Sequence, residues 1–464
     1  MEQCPKKYFV QNKTCVQKTK GHPYPMKKIK KRNSAIVLGL RENTESEPIG
    51  FSLTENKNTD AEPKPIEYNG DAPLLTIAPT GAGKGVSAII PTALTNTDPM
   101  IIIDPKGEAY QITASARKRM GHKVVLIDPF DYCGEGVSDG LNPLDLINPE
   151  SPTAVDDALS LANALVQTKS VSDPFWDQRA QQLYSGIILW IAAYAPKPQR
   201  HLGTLRKILN TNDKARATVL AAMAKSNLWD GRISDSAHIL PDAPDKTRGS
   251  IMSTAQSHVD FMSSLPVVNS ITASSITLDE IKNGDPVTIY LVLPPERLES
   301  HGQLLRLWLT TIITTITRRR KAPKTRTLLV VDEAAQLGNL PALKSALTLL
   351  RGYGLTTWTF WQSPSQLQSV YPKDWRTIID NAAVVQAFGF YTGPFLQDIK
   401  TITGLEVGTT LSAVQGNKQV IALSGEDAFV GRRVSYLTDS SYKGLWNKNH
   451  MIDTAKTKGI ENVV

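Results

Sequence analysis

Apolar residues follow two rhythms along this chain. Short unbroken runs appear at LLTIA (74–78), MIIID (100–104), KVVLID (123–128), PVTIYLVLPP (286–295), TLLVVDEA (327–334), TTWTFWQ (356–362) and AVVQAFGF (383–390). Continuous Val/Ile/Leu rather than alternation marks strands buried on both faces, as in a parallel sheet covered by helices. Between them lie stretches with helical spacing, such as KGEAYQITASARKRMG after MIIID. Strand and helix in alternation predict an α/β fold.

From 151 to 265 no strand-like run occurs. AVDDALSLANALVQ, FWDQRAQQLYSGIILWIAAYA, TLRKILN, KARATVLAAMAK and TRGSIMSTAQSHVDFM are all helical in spacing. The pattern therefore predicts an α/β domain over 71–150 and 266–435, with an all-α subdomain inserted at 151–265. Residues 1–70 are polar and expected to be partly irregular, and 436–464 form a polar tail without strands. Trp176, Trp190 and Trp229 in the insert are either partner contacts or, at helical spacing, core.

Charge sharpens this division. The net charge is +8, yet residues 1–32 alone carry +9 and the remainder −1. A basic arm of this kind meets nucleic acid or anionic lipid, or simply keeps a tail solvated. No apolar stretch approaches the about 20 residues of a helical span, and no apolar core follows the N-terminal lysines as in a signal peptide. Three cysteines without metal-site spacing suit a reducing compartment. The expected location is cytoplasmic, with peripheral contact at the inner face of the membrane left open.

The chemistry begins at APTGAGKGVS, Ala78 to Ser87. It approaches the phosphate-loop pattern G-x-x-x-x-G-K-[ST], with Ala78 for the first glycine and Gly85 for the hydroxyl residue. A strand precedes it and a helix follows, which is the context a phosphate loop requires. Thr80, Gly81, Ala82, Gly83, Lys84, Gly85 and Val86 would cradle phosphates with backbone N–H groups, and Lys84 would supply a point charge. Asp332 and Glu333 end the run LLVV. One acid could be a helix N-cap; two suit a Mg²⁺ carboxylate, Asp332, beside a general base, Glu333. Gln362 ends a further strand and could sense the γ-phosphate or be an ordinary strand-end glutamine. Arg351 is either a surface arginine or a finger offered to a neighbouring subunit. The run RRRKAPKTR (318–326) could touch DNA, but a solvated loop is the simpler reading.

Together these segments resemble the type IV secretion coupling proteins, the conjugative ATPases of the TraG/TraD kind. The resemblance spans about 70–410 and includes GKGVS with IIPTAL, DPKGE (104–108), LNPLD, TRGSIMSTAQSHVDF, YLVLPPERL, LLRLWLTTII, VVDEAAQLGNLPALKSALTLLRGYGL and WQSPSQLQSVY. It implies a RecA-like P-loop domain with a helical insert, ATP and Mg²⁺ as ligands, and assembly of monomers into a hexameric ring. It implies delivery of single-stranded DNA, with its relaxase or relaxosome, to the secretion channel. It matches Lys84, Asp332, Glu333, Arg351 and Gln362 to the family's loop lysine, paired acids, arginine finger and glutamine sensor. In that family glycine after the loop lysine is common, so Asp332 and water would cover for the missing hydroxyl. Ala78 departs from the usual glycine and is tolerable only at negative φ. The family's usual membrane-spanning helices have no counterpart in the hydropathy. An ATP-binding receptor for relaxase or effector proteins is the alternative, and a partition or packaging motor a more distant one.

Overall fold

A computed structural model describes residues 33–41, 64–166 and 174–448. The +9 arm at 1–32 lies outside the described residues. Strands β1 (Ile36–Arg41), β2 (Lys64–Tyr68), β3 (Leu74–Ile77), β4 (Met100–Ile103), β5 (Lys123–Ile127), β6 (Val287–Leu291), β7 (Thr327–Val331), β8 (Leu355–Trp361), β9 (Val384–Ala387), β10 (Lys418–Leu423) and β11 (Phe429–Arg432) form one sheet. Its order is β2-β1-β11-β10-β9-β3-β8-β7-β4-β6-β5. From β9 to β5 every pairing is parallel, and from β9 to β2 every pairing is antiparallel. The chain thus has the α/β architecture that the alternating pattern implies, in the RecA-like form that the resemblance implies.

The parallel half follows from its sequence. Strands β3, β4, β6, β7, β8 and β9 are buried at every position, so each needs cover on both faces. Helix α1 (Ile90–Thr95) and α2 (Glu108–Arg119) lie close together on one face; the long helix Pro295–Thr317 covers the other, with Trp308 fully buried. Trp308 donates its indole N–H to the Leu141 carbonyl at 3.1 Å, which satisfies its one polar group inside the core. Residues 151–265 hold helices, including α3 (Ala154–Leu165) and α4 (Phe175–Tyr194), and Trp176, Trp190 and Trp229 pack against the same core.

Three expectations need correction. The sheet begins before residue 71, because β1 and β2 extend its antiparallel edge. Only Ile66 of β2 is buried, so its apolar signal is too weak to read as a strand. β1 closes on β11 through Gly39, where a Cβ would fall 2.6 Å from the Arg432 carbonyl oxygen. The described part of the supposed tail, 436–448, is strapped down as well. Tyr436, Tyr442 and Leu445 bury against Ile90, Leu94 and Ile112 of α1 and α2, and Arg119 donates to the Leu445 carbonyl at 2.6 Å. Its apolar residues bury without any period, which is why the segment reads as polar and irregular.

The third correction concerns RRRKAPKTR, which is not a solvated loop throughout. Arg319 is buried and donates to the carbonyls of Ile281, Lys282, Tyr353 and Gly354 and to the Thr327 hydroxyl. Arg318 pairs with Asp157 of α3. Arg326 meets Asp98 at 3.0 Å, with both side chains buried, and Ser34 donates to the other Asp98 oxygen at 2.6 Å. These guanidinium groups join the insert, the strand ends and the N-terminal strand. Removing one member of a buried pair leaves an uncompensated charge. Arg326→Met should therefore lower unfolding free energy by roughly 3–5 kcal/mol in a denaturant titration, and adding Asp98→Asn should recover part of the loss.

Candidate functional site

The site stands on the level ends of parallel strands. Ile77 lies opposite Trp361, Thr359 opposite Val331, and Val331 opposite Ile103. The next residues therefore emerge on one rim in the order phosphate loop, Gln362, Asp332 with Glu333, then Asp104. Asp104 does not follow the strand beside the phosphate-loop strand; β8 and β7 intervene. It sits beside the Asp332 strand instead.

The loop leaves β3 at Ala78, whose N–H donates to the Trp361 carbonyl at 2.8 Å. Ala78 keeps a negative φ and packs in a small cluster with Ala82 and Phe388, so its methyl is accommodated. Gly81 and Gly83 adopt φ of 80° and 87°, a region closed to most side chains. Thr80 and Gly81 are exposed at the loop tip. Lys84 precedes the helix, and Gly85–Ile89 form a π-helical turn before α1. Pro91 explains that turn: it cannot donate a backbone hydrogen bond, and its ring would crowd the carbonyl four residues earlier. Val86 packs against the apolar cluster under residues 434–446.

Sequence distance collapses at Lys84. Its ammonium lies 2.6 Å from Glu333 Oε1 and 4.0 Å from Asp332 Oδ1. Gln362 donates from Nε2 to Glu333 Oε2 at 2.8 Å, and its own N–H goes to Gln366 Oε1 at 2.9 Å. Glu333 holds φ 56° and ψ 52°, a left-handed conformation uncommon for a non-glycine residue. Strain of this kind costs on the order of 1–3 kcal/mol and gathers at functional sites. Here it accompanies a glutamate whose carboxylate is shared between Lys84 and Gln362.

DPKGE forms the far wall. Asp104 is buried and accepts from the Tyr110 N–H at 2.9 Å, so it caps the start of α2. Gly107 turns left-handed at φ 63°, and a Cβ there would meet Cys133 Sγ at 2.6 Å. The cleft between the walls is lined by Lys84, Gly85, Lys106, Glu108, Asp104 and Asp332, among others. Burial pushes the Asp332 carboxyl up to about 6, aided by the Glu333 carboxylate and opposed by Lys84. Burial also pushes Asp104 up to about 7, against the N–H groups it accepts. A loop of backbone donors with a lysine, facing carboxylates on the next strand tips, fits a magnesium nucleotide: the phosphates take the donors and the acids take the cation.

Two residues alter the site read from sequence. Arg351 is not in it. It lies just before β8, a strand of about 23 Å, and pairs with Asp71 at 2.6 Å at the opposite rim. Within one chain it cannot reach the loop. Arg433 was missed. It donates from Nη1 to the Ala82 carbonyl and from Nη2 to the Gly416 carbonyl, both at 2.6 Å, with its guanidinium over Phe388. It braces the loop from a segment about 350 residues away, and no local pattern marks it.

Loop, strand-tip acids and sheet order define a P-loop nucleotide-binding fold of the RecA kind. Residues 35–395 match the family described as Type IV secretory system Conjugative DNA transfer, and the chain belongs to that family. It is 28% identical over 322 residues to conjugal transfer protein TraG of Escherichia coli, covering 66% of this chain and 50% of that one. It is 26% identical to the type IV secretion system-coupling protein VirD4 of Bartonella henselae, covering 72% and 54%. The chain thus spans about half the length of the curated relatives it matches. The plasmid coupling protein TrwB shares the fold in two complexes. With a non-hydrolysable GTP analogue the TM-score is 0.61 at 16% identity, covering 78% of this chain and 86% of that one. With ADP and Mg²⁺ it is 0.54 at 18%, covering 78% of each. Among the described residues no helix is long and apolar enough to cross a membrane.

The raised Asp104 carboxyl has a consequence for stability. Folding favours its protonated form, so the stability it contributes is present at low pH and is lost as pH rises through about 7. Asp104→Asn should melt at a higher temperature than the parent at pH 8. That gain should shrink as the pH falls from 7 toward 4 in scanning calorimetry.

Proposed function

We propose that this chain is the ATPase of a type IV secretion coupling protein, using ATP to recruit single-stranded DNA with its relaxase and drive it into the secretion channel. The observation that carries the reading is the continuous contact from Lys84 through Glu333 to Gln362. It joins a phosphate cradle to a carboxylate and an amide that can hold a water. Membership of the conjugative DNA-transfer family supports the substrate class.

In this reading the N–H groups of 80–86 hold the β- and γ-phosphates, and Lys84 leaves Glu333 to meet them. Asp332 would hold Mg²⁺, which offsets phosphate charge. Glu333, released from Lys84, accepts a proton from water as the water oxygen attacks the γ-phosphorus. The bond from that phosphorus to the bridging oxygen breaks, and ADP leaves with the electron pair. Gln362 orients the water or Glu333. Arg351 serves the neighbouring subunit of a hexamer, since its own loop lies on the other rim. The basic arm at 1–32 is the element suited to DNA or an anionic membrane face.

Steady-state ATP turnover by the purified chain, with and without single-stranded DNA, tests this. Turnover should rise with DNA and disappear in Lys84→Ala. Glu333→Gln should lower kcat by about 10²–10⁴-fold while nucleotide still binds. Turnover that never depends on Lys84 would overturn the motor and leave an ATP-binding receptor for relaxase or effector proteins. The finger has a separate test. Arg351→Ala and Lys84→Ala should each be inactive alone, and mixing them should restore part of the turnover. A mixture as inactive as its parts would remove Arg351 from the mechanism.

A further inference from the structure

Gly85 stands where the phosphate-loop pattern carries a serine or threonine, yet nothing in the backbone requires a glycine there. Its φ is not positive, and a Cβ would meet no atom closer than 3.5 Å. That nearest atom is Glu108 Oε2. A methyl would fit in ordinary contact, and a hydroxyl carried on it would come within reach of the Glu108 carboxylate. The side chain that the pattern would carry and the Glu108 carboxylate therefore border the same part of the cleft.

Glu108 is held there by the turn that precedes it. Gly107 takes a left-handed conformation that Cys133 Sγ closes to any Cβ, and Glu108 is the first residue of α2. Both Gly85 and Glu108 line the same cleft as Lys84 and Asp332. Resting on the nucleotide-site reading above, we infer that the Glu108 carboxylate replaces the absent loop hydroxyl and faces the Mg²⁺ of a bound magnesium nucleotide, directly or through water. A carboxylate is a hard, charged oxygen ligand suited to this ion. It differs from a hydroxyl in one respect that can be measured. Without the metal it repels the phosphates, so nucleotide binding becomes strongly metal-dependent.

The test is a titration of a fluorescent ADP analogue followed by anisotropy, across a Mg²⁺ series and in EDTA. In Glu108→Gln the Mg²⁺ needed for half-maximal binding should rise about tenfold, in the range seen when groups supporting a metal are removed. Affinity in EDTA should stay equal or tighten. Glu108→Asp, which keeps the charge but withdraws it, should shift the midpoint the same way by less. Gly85→Ser combined with Glu108→Gln should move it back toward the parent. An unchanged midpoint in Glu108→Gln overturns the assignment, and so does an equal loss of affinity with and without Mg²⁺, which marks a merely structural role. If the parent chain binds no nucleotide at any Mg²⁺ concentration, the nucleotide-site reading falls first and this inference with it.

Discussion

Everything at this site depends on the parallel alignment of β3, β8, β7 and β4. Four strands run the same way in register, so their carboxyl ends deliver four separate segments to one rim. None of these segments touches another in sequence: Lys84 and Glu333 lie 249 residues apart and meet at 2.6 Å. Buried on every position, the strands cannot slip without exposing backbone donors and moving apolar side chains. The sheet is therefore a rigid ruler, and the loops at its end inherit its precision.

Charge balance is the second constraint. The cleft gathers Asp104, Glu108, Asp332 and Glu333 against Lys84 and Lys106. Burial and mutual repulsion hold Asp104 and Asp332 well above the usual carboxylate range. Sites that raise carboxyl groups in this way favour a bound cation or proton. The strained Glu333 backbone adds to the cost, and the surrounding apolar core holds it in place. Stability elsewhere offsets a site built for a charged ligand.

Arginine takes different roles at different places in the fold. Arg319 and Arg326 are buried joints, donating to carbonyls or to a buried acid. Arg433 is a brace on the phosphate loop. Arg351 alone of these faces outward at the other rim, paired with half-exposed Asp71. The same residue type thus fixes the fold in three places and stands in an exposed ion pair in the fourth.

The alternation of buried runs and helical stretches was enough to read the α/β class, the all-helical stretch after residue 150, and the strand–loop–helix around Lys84, because those features are local and periodic. Asp332 and Glu333 were legible for the same reason: acids directly after LLVV mark a strand tip. Sequence did not reveal that β8 separates β3 from β7, that Asp104 stands beside Asp332, or that Arg351 lies on the far rim. Those follow from strand order, which is set by long-range packing. Nor did it reveal β2, the strap at 436–448 or Arg433. Their burial comes from contacts with segments distant in sequence, and a pattern with no period leaves no trace along the chain. Only the folded sheet brings Gly85 beside Glu108, so that a position without a side chain on one segment faces a carboxylate on another.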